Sequence, residues 1–179
     1  AIAEAARDRG ARVTLVTGPV ALETPPGIDR RDVSTVAQML AVLQEVTATG
    51  DALVMSAAPA DFRPENPASQ KMKKTPGQES MRIDLAKNPD ILASLPAGGV
   101  RVGFAAETEN LAENAVAKLA SKRLAFIVAN DVTAAGSGFG TETNQVTIFH
   151  DDGRVDALPL MSKYAVAHAI LDAIAARLD

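Results

Sequence analysis

The segment ALVMSAA, Ala52–Ala58, is the stretch of sequence that decides the fold. A short, continuous apolar run of this kind is typical of a strand buried in a parallel sheet. The loop that follows, PADFRPENPASQKMKK, ends at Lys74 and contains three prolines and three lysines. Because open α/β folds bind ligands beyond the carboxyl ends of their strands, this loop is the first candidate for a functional site.

Similar apolar strands alternate with amphipathic helices along most of the chain. The pattern predicts strands at residues 12–19, 80–87, 100–108 and 124–131, and helices at residues 1–10, 33–48, 109–122 and 161–178. A shorter helix is expected after residue 87, with Asn88 as its N-cap, Pro89 at its first position and Asp90 in its first turn.

Two segments lack any periodicity and are predicted as loops: residues 21–32, ALETPPGIDRRD, and residues 132–143, which contain three glycines. The sequence Asp151-Asp152-Gly153 separates two further apolar strands and indicates a hairpin. The predicted fold class is therefore α/β, with a Rossmann-like, mainly parallel sheet, helices on both faces and a late antiparallel hairpin.

The composition is that of one globular domain, residues 1–179, with 47% apolar residues to form a core. Its 18 basic and 22 acidic residues give a net charge of -4, so no overall field favours nucleic acid or an anionic membrane. The absence of cysteine excludes disulfides and thiolate metal sites, and two histidines are too few for a histidine site. No apolar run approaches the roughly 20 residues of a membrane span, so we expect a cytoplasmic protein.

The opening sequence AIAEAARDRG has the pattern of the second half of a helix that ends at Gly10. A βα unit would place a strand and a phosphate-binding turn before that helix. We therefore expect a first strand and its glycine-rich turn to precede Ala1.

The candidate functional charges of the loop after residue 58 are Asp61, Lys71, Lys73 and Lys74. A carboxylate there can hold a divalent cation or accept hydrogen bonds from a ligand, or it can form an ordinary Asx turn. The lysines are either a solvated surface cluster or an anion site that closes over a substrate through the TPG turn that follows. Their position beyond a strand end favours the anion site.

Lys118 and Lys122 lie four residues apart on one face of a predicted helix, where like charges cost about 0.2 to 0.5 kcal/mol. No acid lies three or four residues from either lysine. A bound anion would relieve this repulsion, and screening by water and salt would also relieve it. Both interpretations stay open.

Phe104 belongs to the string GFAAET, whose small residues at a strand end allow a ligand to approach the backbone closely. Its ring is suited either to stacking on a planar base or to packing in the core.

Six motifs occur in order along the chain: AAPADFRP, KMKK, NPDIL, GFAAET, the Lys118/Lys122 pair, and VANDV followed by GFGTETNQV. Together they resemble phosphopantothenoylcysteine synthetase, the phosphopantothenate-cysteine ligase of coenzyme A synthesis, over essentially the whole chain. Bacterial members of that family use CTP to convert the carboxylate of 4'-phosphopantothenate to an acyl-cytidylate, with loss of pyrophosphate. Cysteine then attacks, releasing CMP and forming the amide.

The resemblance implies that Lys71 is the catalytic lysine of cytidylate formation and that Mg²⁺ accompanies CTP, without identifying the metal ligands. It implies contacts to CTP from Ala57, Asp61, Lys71, Asn88, Pro89, Asp90, Ile91, Phe104, Lys118 and Lys122.

The sequence departs from the family's pattern at Pro59, where the family usually has valine. The family's glycine-rich turn, and an asparagine segment that stabilises the acyl-cytidylate, would lie before Ala1. The resemblance also implies a homodimer in which the region after Asn130 contributes to the interface. No FMN is expected, because the flavin-dependent decarboxylase domain often fused upstream is not part of this sequence.

Two other interpretations remain: a Rossmann-like nucleotide-binding module without ligase activity, and an inactive fragment that only dimerises. Release of pyrophosphate that depends on CTP, cysteine and phosphopantothenate distinguishes the ligase from both.

Overall fold

The computed structural model describes residues 1–73, 76–107, 111–131, 136–138 and 140–178. The helices and strands are α1 Ile2–Asp8, β1 Thr14–Thr17, β2 Asp29–Asp32, α2 Val36–Thr47, β3 Ala52–Met55, β4 Phe62–Pro64, β5 Leu85–Lys87, α3 Ile91–Ser94, β6 Val100–Glu107, α4 Leu111–Lys122, β7 Phe126–Asp131, β8 Thr143–Asn144, β9 Val146–His150, β10 Val155–Ala157, β11 Met161–Ser162 and α5 Lys163–Ala175.

The central sheet has five strands in the order β10-β9-β7-β6-β3. Strands β3, β6 and β7 pair in parallel, and the hairpin of β9 and β10 adds to β7 in the antiparallel direction. Gly153 forms the hairpin turn with a φ of 87°, and its N–H donates to the carbonyl of His150 over 3.1 Å. The predicted parallel sheet with a late hairpin is confirmed.

The side chains of β7 alternate between two apolar clusters on opposite faces of the sheet. Ile127 and Ala129 pack with residues of α2, α3 and α4, whereas Phe126 and Val128 pack with residues of α5. Ile2 of α1 also packs on the α5 side. The prediction of helices on both faces is therefore confirmed.

Residues 29–32, which were predicted as loop, form strand β2 and pair in parallel with β1. The sequence of this strand is DRRD, and its side chains are largely exposed. Charged residues have low strand propensity, so pattern analysis missed a strand that is held by backbone hydrogen bonds.

The half-buried strand predicted at residues 80–87 is wrong in both extent and burial. Only β5 forms, and it pairs with β4 in a two-stranded ribbon that is separate from the central sheet. Met81, Ile83 and Leu85 are between 56% and 60% exposed. The alternating pattern was present, but the described part of the chain packs no apolar face against it.

Other boundaries also differ from the predictions. The strand expected over residues 52–58 ends at Met55, and it is an edge strand in which Met55 alone is buried. The terminal helix begins at Lys163, because residues 161–162 pair with β8 instead. Parts of three of these predictions lie outside the described residues: residue 108 of a strand, residues 109–110 of a helix, and residues 132–135 and 139 of a loop.

No helix in the described ranges is both long and apolar enough to cross a membrane.

Helices α1 and α5 are joined by polar contacts at their exposed edges. The Tyr164 hydroxyl donates to Asp8 Oδ2 over 2.7 Å, and Arg9 Nη1 lies 2.7 Å from Asp172 Oδ1. The hydrogen bond from Tyr164, followed by that from Arg7, lowers the pKa of Asp8 below its ordinary value. The ionised carboxylate therefore helps to hold the two helices together.

We expect Tyr164→Phe to raise the pKa of Asp8 toward 3.8, its ordinary value, because the strongest hydrogen bond to the carboxylate is lost. Since the folded pKa of Asp8 is lowered, the interaction stabilises the wild type above pH 3.8 and is lost as pH falls through the folded pKa. NMR titration of Asp8 measures the change. Asp152 is the internal control, because its pKa is lowered chiefly by the backbone N–H of Arg154 and should not move.

Candidate functional site

A cavity of about 450 Å³ lies beyond the carboxyl end of β3, on the face of the sheet covered by α3 and α4. Met55, Leu92, Leu124 and Ile127 supply apolar lining from the core cluster of that face. A volume of this size is within the range of small-molecule sites. The strand end that the sequence singled out is therefore next to a cavity.

Two backbone segments form much of the cavity lining, and we call residues 57–61 the first wall and residues 87–92 the second wall. The N–H of Asn88 donates to the carbonyl of Asp61 over 2.7 Å. The side-chain amide of Asn88 donates to the carbonyl of Ala60 over 2.8 Å. Asn88 therefore joins the second wall to the first through both its backbone and its side chain.

Arg63 lies just outside the first wall, in β4. Its Nη1 donates to the backbone carbonyl of Lys87 over 2.7 Å and to Asn88 Oδ1 over 3.2 Å. A guanidinium can only donate and the Ala60 carbonyl can only accept, so these partners fix which way the Asn88 amide faces.

The sequence predicted Asn88 as the N-cap of α3, and this prediction is wrong, because the N-cap is Asp90. Asp90 Oδ1 accepts from the N–H of Ala93 over 3.2 Å, and α3 begins at Ile91. The prediction was two residues early because Asn88 has a suitable side chain for a cap but uses it to contact the first wall.

Asp90 also approaches a lysine across the cavity lining, with 3.3 Å between Asp90 Oδ2 and Lys122 Nζ. Asp90 belongs to the N-cap of α3 and not to the helix of the lysines, so the spacing of acids along that helix did not predict this partner. The repulsion between the two lysines is thus partly offset within the protein. Both side chains of the Asp90–Lys122 pair are about a third or more exposed, so the pair contributes little to stability.

Phe104 is partly buried and packs against the apolar cluster of the α5 face. Successive residues of a strand face opposite sides of the sheet, so the Phe104 side chain faces away from the side on which a side chain at position 103 would lie. Gly103 lines the cavity. A Cβ at Gly103 would lie 2.6 Å from Leu124 Cδ1, so the backbone there is closely packed. Packing favours the core interpretation of the Phe104 ring over base stacking.

The cavity brings together residues that are far apart in sequence. Of the positions assigned to the nucleotide by resemblance, nine line it: Ala57, Asp61, Asn88, Pro89, Asp90, Ile91, Phe104, Lys118 and Lys122.

Lys71 is exposed and is not among the described residues that line the cavity. Lys73 is exposed as well, and Lys74 lies outside the described residues. The structure therefore does not place Lys71 or Lys73 on the cavity lining, and the role of Lys71 stays a prediction.

Sequence reasoning did not single out Arg63 or Lys87, although both contribute to the walls. Arg63 was part of a quoted motif, ADFRP, and Lys87 directly precedes NPDIL. Their contribution depends on the β4–β5 pairing, and the strand pattern before Lys87 did not show that β4 would be its partner.

Within the described ranges, no three His, Asp or Glu side chains are grouped so that they could hold a metal ion by themselves. Magnesium in nucleotide sites usually takes one or two carboxylates, with phosphate oxygens and water completing its octahedron. Asp61 has an exposed side chain on the first wall, whereas both oxygens of Asp90 are engaged. Asp61 therefore fits the single carboxylate that such an ion needs.

A family model described as the DNA/pantothenate metabolism flavoprotein C-terminal domain matches residues 1–178. The chain is 46% identical over 176 residues to the coenzyme A biosynthesis bifunctional protein CoaBC of Vibrio parahaemolyticus. It is 45% identical over 180 residues to the CoaBC protein of Bacillus subtilis. These matches cover 96% and 98% of this chain but 44% of each relative, so the chain spans less than half of their length.

Two solved structures are similar to this one. The crystal structure of the C-terminal domain of CoaBC has a TM-score of 0.82 at 34% identity, and the match covers 99% of this chain and 80% of that one. A mutant of Cab2 in complex with phosphopantothenate-cysteine shares the fold, with a TM-score of 0.64 at 20% identity over 86% of this chain and 53% of that one. With a family model matching nearly every residue and relatives above 40% identity, the chain belongs to the family of the DNA/pantothenate metabolism flavoprotein C-terminal domain.

Proposed function

We propose that this domain is a CTP-dependent ligase that joins 4'-phosphopantothenate to cysteine in coenzyme A biosynthesis. The matched relatives are coenzyme A biosynthesis proteins, and the solved C-terminal domain of CoaBC aligns with this chain over 99% of its length. The Cab2 mutant that shares the fold is bound to phosphopantothenate-cysteine, which contains both proposed substrates.

The observation that carries the proposal is that nine of the ten residues expected to contact CTP line one cavity. They come from the loop after β3, the turn before α3, strand β6 and helix α4. Such convergence from separate elements is what a binding site requires, and a set of unrelated surface residues would not produce it.

The first chemical step is attack by a carboxylate oxygen of 4'-phosphopantothenate on the α-phosphorus of CTP. A bond forms between that oxygen and phosphorus, and the bond to the β-phosphate oxygen breaks, so pyrophosphate leaves. The product, an acyl-cytidylate, has a far better leaving group than the free carboxylate. The amine of cysteine then attacks the acyl carbon, loses a proton, and displaces CMP to give the amide.

The protein's contribution to the first step is positive charge near the phosphates, where negative charge accumulates in the transition state. Lys118 and Lys122 supply this charge from α4 on the cavity lining. Lys71 would reach the reacting phosphates by movement of its loop over the cavity, since loop closure commonly completes such sites. Asp61 would hold a Mg²⁺ ion that arrives with CTP, and that ion would supply charge neutralisation at the phosphates.

The homodimer is part of the same proposal. Val155 and Leu160, which follow Asn130 in the hairpin region, are 55% and 48% exposed, and burial against a second copy would remove this apolar surface from water. FMN has no role in the proposed reaction.

The alternative is a nucleotide-binding module without ligase activity, and one observation favours it. The cavity is lined without Lys71, so a nucleotide can occupy it without contacting the residue to which the chemistry is assigned. Both functions require nucleotide binding, so only an assay of the reaction distinguishes the ligase from the binding module.

With Mg²⁺ present, the intact protein should sustain pyrophosphate release only when CTP, 4'-phosphopantothenate and cysteine are all supplied, and should form the amide at the same time. A coupled pyrophosphate assay, with mass spectrometry of the product, measures both steps. Binding of CTP without any pyrophosphate would establish the binding module and reject the ligase.

Lys71→Gln should lower the rate of cytidylate formation by at least about 100-fold, because a cation acting on the transition-state charge is worth several kcal/mol. The matched control is Lys73→Gln, which removes the same charge from an exposed position two residues away. Circular dichroism verifies the fold of each variant. Equal effects of the two substitutions would show that Lys71 contributes only general charge.

Lys118→Ala should raise the KM for CTP about tenfold with a smaller change in kcat, because the lysine contacts the nucleotide in both ground and transition states. Steady-state kinetics at varied CTP concentration measure the two constants. Lys163→Ala, at the start of α5 on the opposite face of the sheet, is the control. An unchanged KM would leave Lys118 as a solvated surface residue.

A further inference from the structure

Arg63 makes two specific contacts next to the cavity, although it is not among the described residues that line it. One of its nitrogens, Nη1, donates to both the carbonyl of Lys87 and Oδ1 of Asn88, at 2.7 Å and 3.2 Å. Both acceptors belong to the second wall. Arg63 lies two residues after the end of the first wall, Asp61, in the same stretch of chain. The guanidinium therefore connects the segment directly after the first wall to the second wall.

The Asn88 amide lies between Arg63 and Ala60. Its oxygen accepts from Arg63 and its nitrogen donates to the carbonyl of Ala60 over 2.8 Å. Rotation of the amide by half a turn would place its NH₂ group against the guanidinium and its oxygen against a carbonyl oxygen. Both contacts would then be repulsive, so Arg63 holds the amide in the orientation that binds the first wall.

The backbone joins the walls at the same place, through the N–H of Asn88 and the carbonyl of Asp61 at 2.7 Å. The two carbonyls that accept from Asn88 belong to Ala60 and Asp61, which line the cavity, as does Asn88. Loss of the Asn88 contacts would thus remove hydrogen bonds that join the two walls. Hydrogen bonds to charged donors are stronger than neutral ones, which suits Arg63 to this task.

We propose that Arg63 is a positioning residue of the nucleotide site: it acts through Asn88 to hold the two cavity walls at the spacing that CTP requires. In this role it acts without contacting the nucleotide: its Nη1 donates to the second wall, and Arg63 is not among the described residues that line the cavity. The assignment of CTP as occupant rests on the function proposed above, whereas the link between the walls does not.

The first experiment tests the link without any ligand, in the full-length protein. Hydrogen exchange followed by NMR at the Asn88 backbone N–H should be about tenfold faster in Arg63→Ala than in the wild type. Arg82→Ala should leave it unchanged. Arg82 is the matched control because it loses the same charge from the adjoining segment, where it pairs with Asp84 and is 87% exposed. Unchanged exchange in Arg63→Ala would overturn the proposal, whatever the protein binds.

The second experiment measures CTP affinity by calorimetry in a double-mutant cycle. Arg63→Ala and Asn88→Ala should each weaken binding about tenfold, and the double variant should be no weaker than Asn88→Ala alone, since Arg63 acts through Asn88. Additive losses would mean that Arg63 acts independently of Asn88 and would overturn the proposed action through the amide. A wild type that binds no CTP would reject the proposed function, while the exchange result would still decide whether Arg63 holds the walls.

Discussion

The alternation of side chains along β7 is the constraint on which the rest of the structure depends. Phe126 and Val128 are fully buried on one face, and Ile127 and Ala129 are buried on the other. Because β7 pairs with both β6 and β9, its register sets both neighbours. A slip of one residue would exchange the two clusters. It would also remove Ile127 from the cavity lining, so the position of the site depends on the packing of the sheet.

The sequence predicted the elements whose burial follows their own periodicity. Strands β6, β7 and β9 have apolar residues on both faces, and helices on both sides of the sheet cover them. The sequence-based prediction was wrong where the pairing of a strand does not follow from its pattern of apolar and polar residues. Strand β2 forms from four charged residues because its backbone pairs with β1. Residues 81–85 have a good strand pattern, but periodicity specifies only which residues share a face and not what covers that face.

The composition of the candidate site could be predicted from motifs, but its internal contacts could not. Motif order identified nine residues that line one cavity. Nothing in the spacing shows that Asp90 caps a helix with one oxygen and faces Lys122 with the other. Nor does it show that the Asn88 amide is used to join two walls. Such contacts depend on which loops become neighbours, and that follows from the three-dimensional arrangement of the strands.

The charges of β2 have a consequence for self-association. Arg30 pairs with Asp32 and Arg31 pairs with Asp29, so each face of this short strand carries its own ion pair. A strand from another molecule that added to this edge would have to desolvate those charges or disturb their pairing. Natural sheets use charged edge residues in this way to prevent intermolecular strand addition. The four charged residues that made β2 resemble a loop in the sequence thus also protect it against aggregation at high protein concentration.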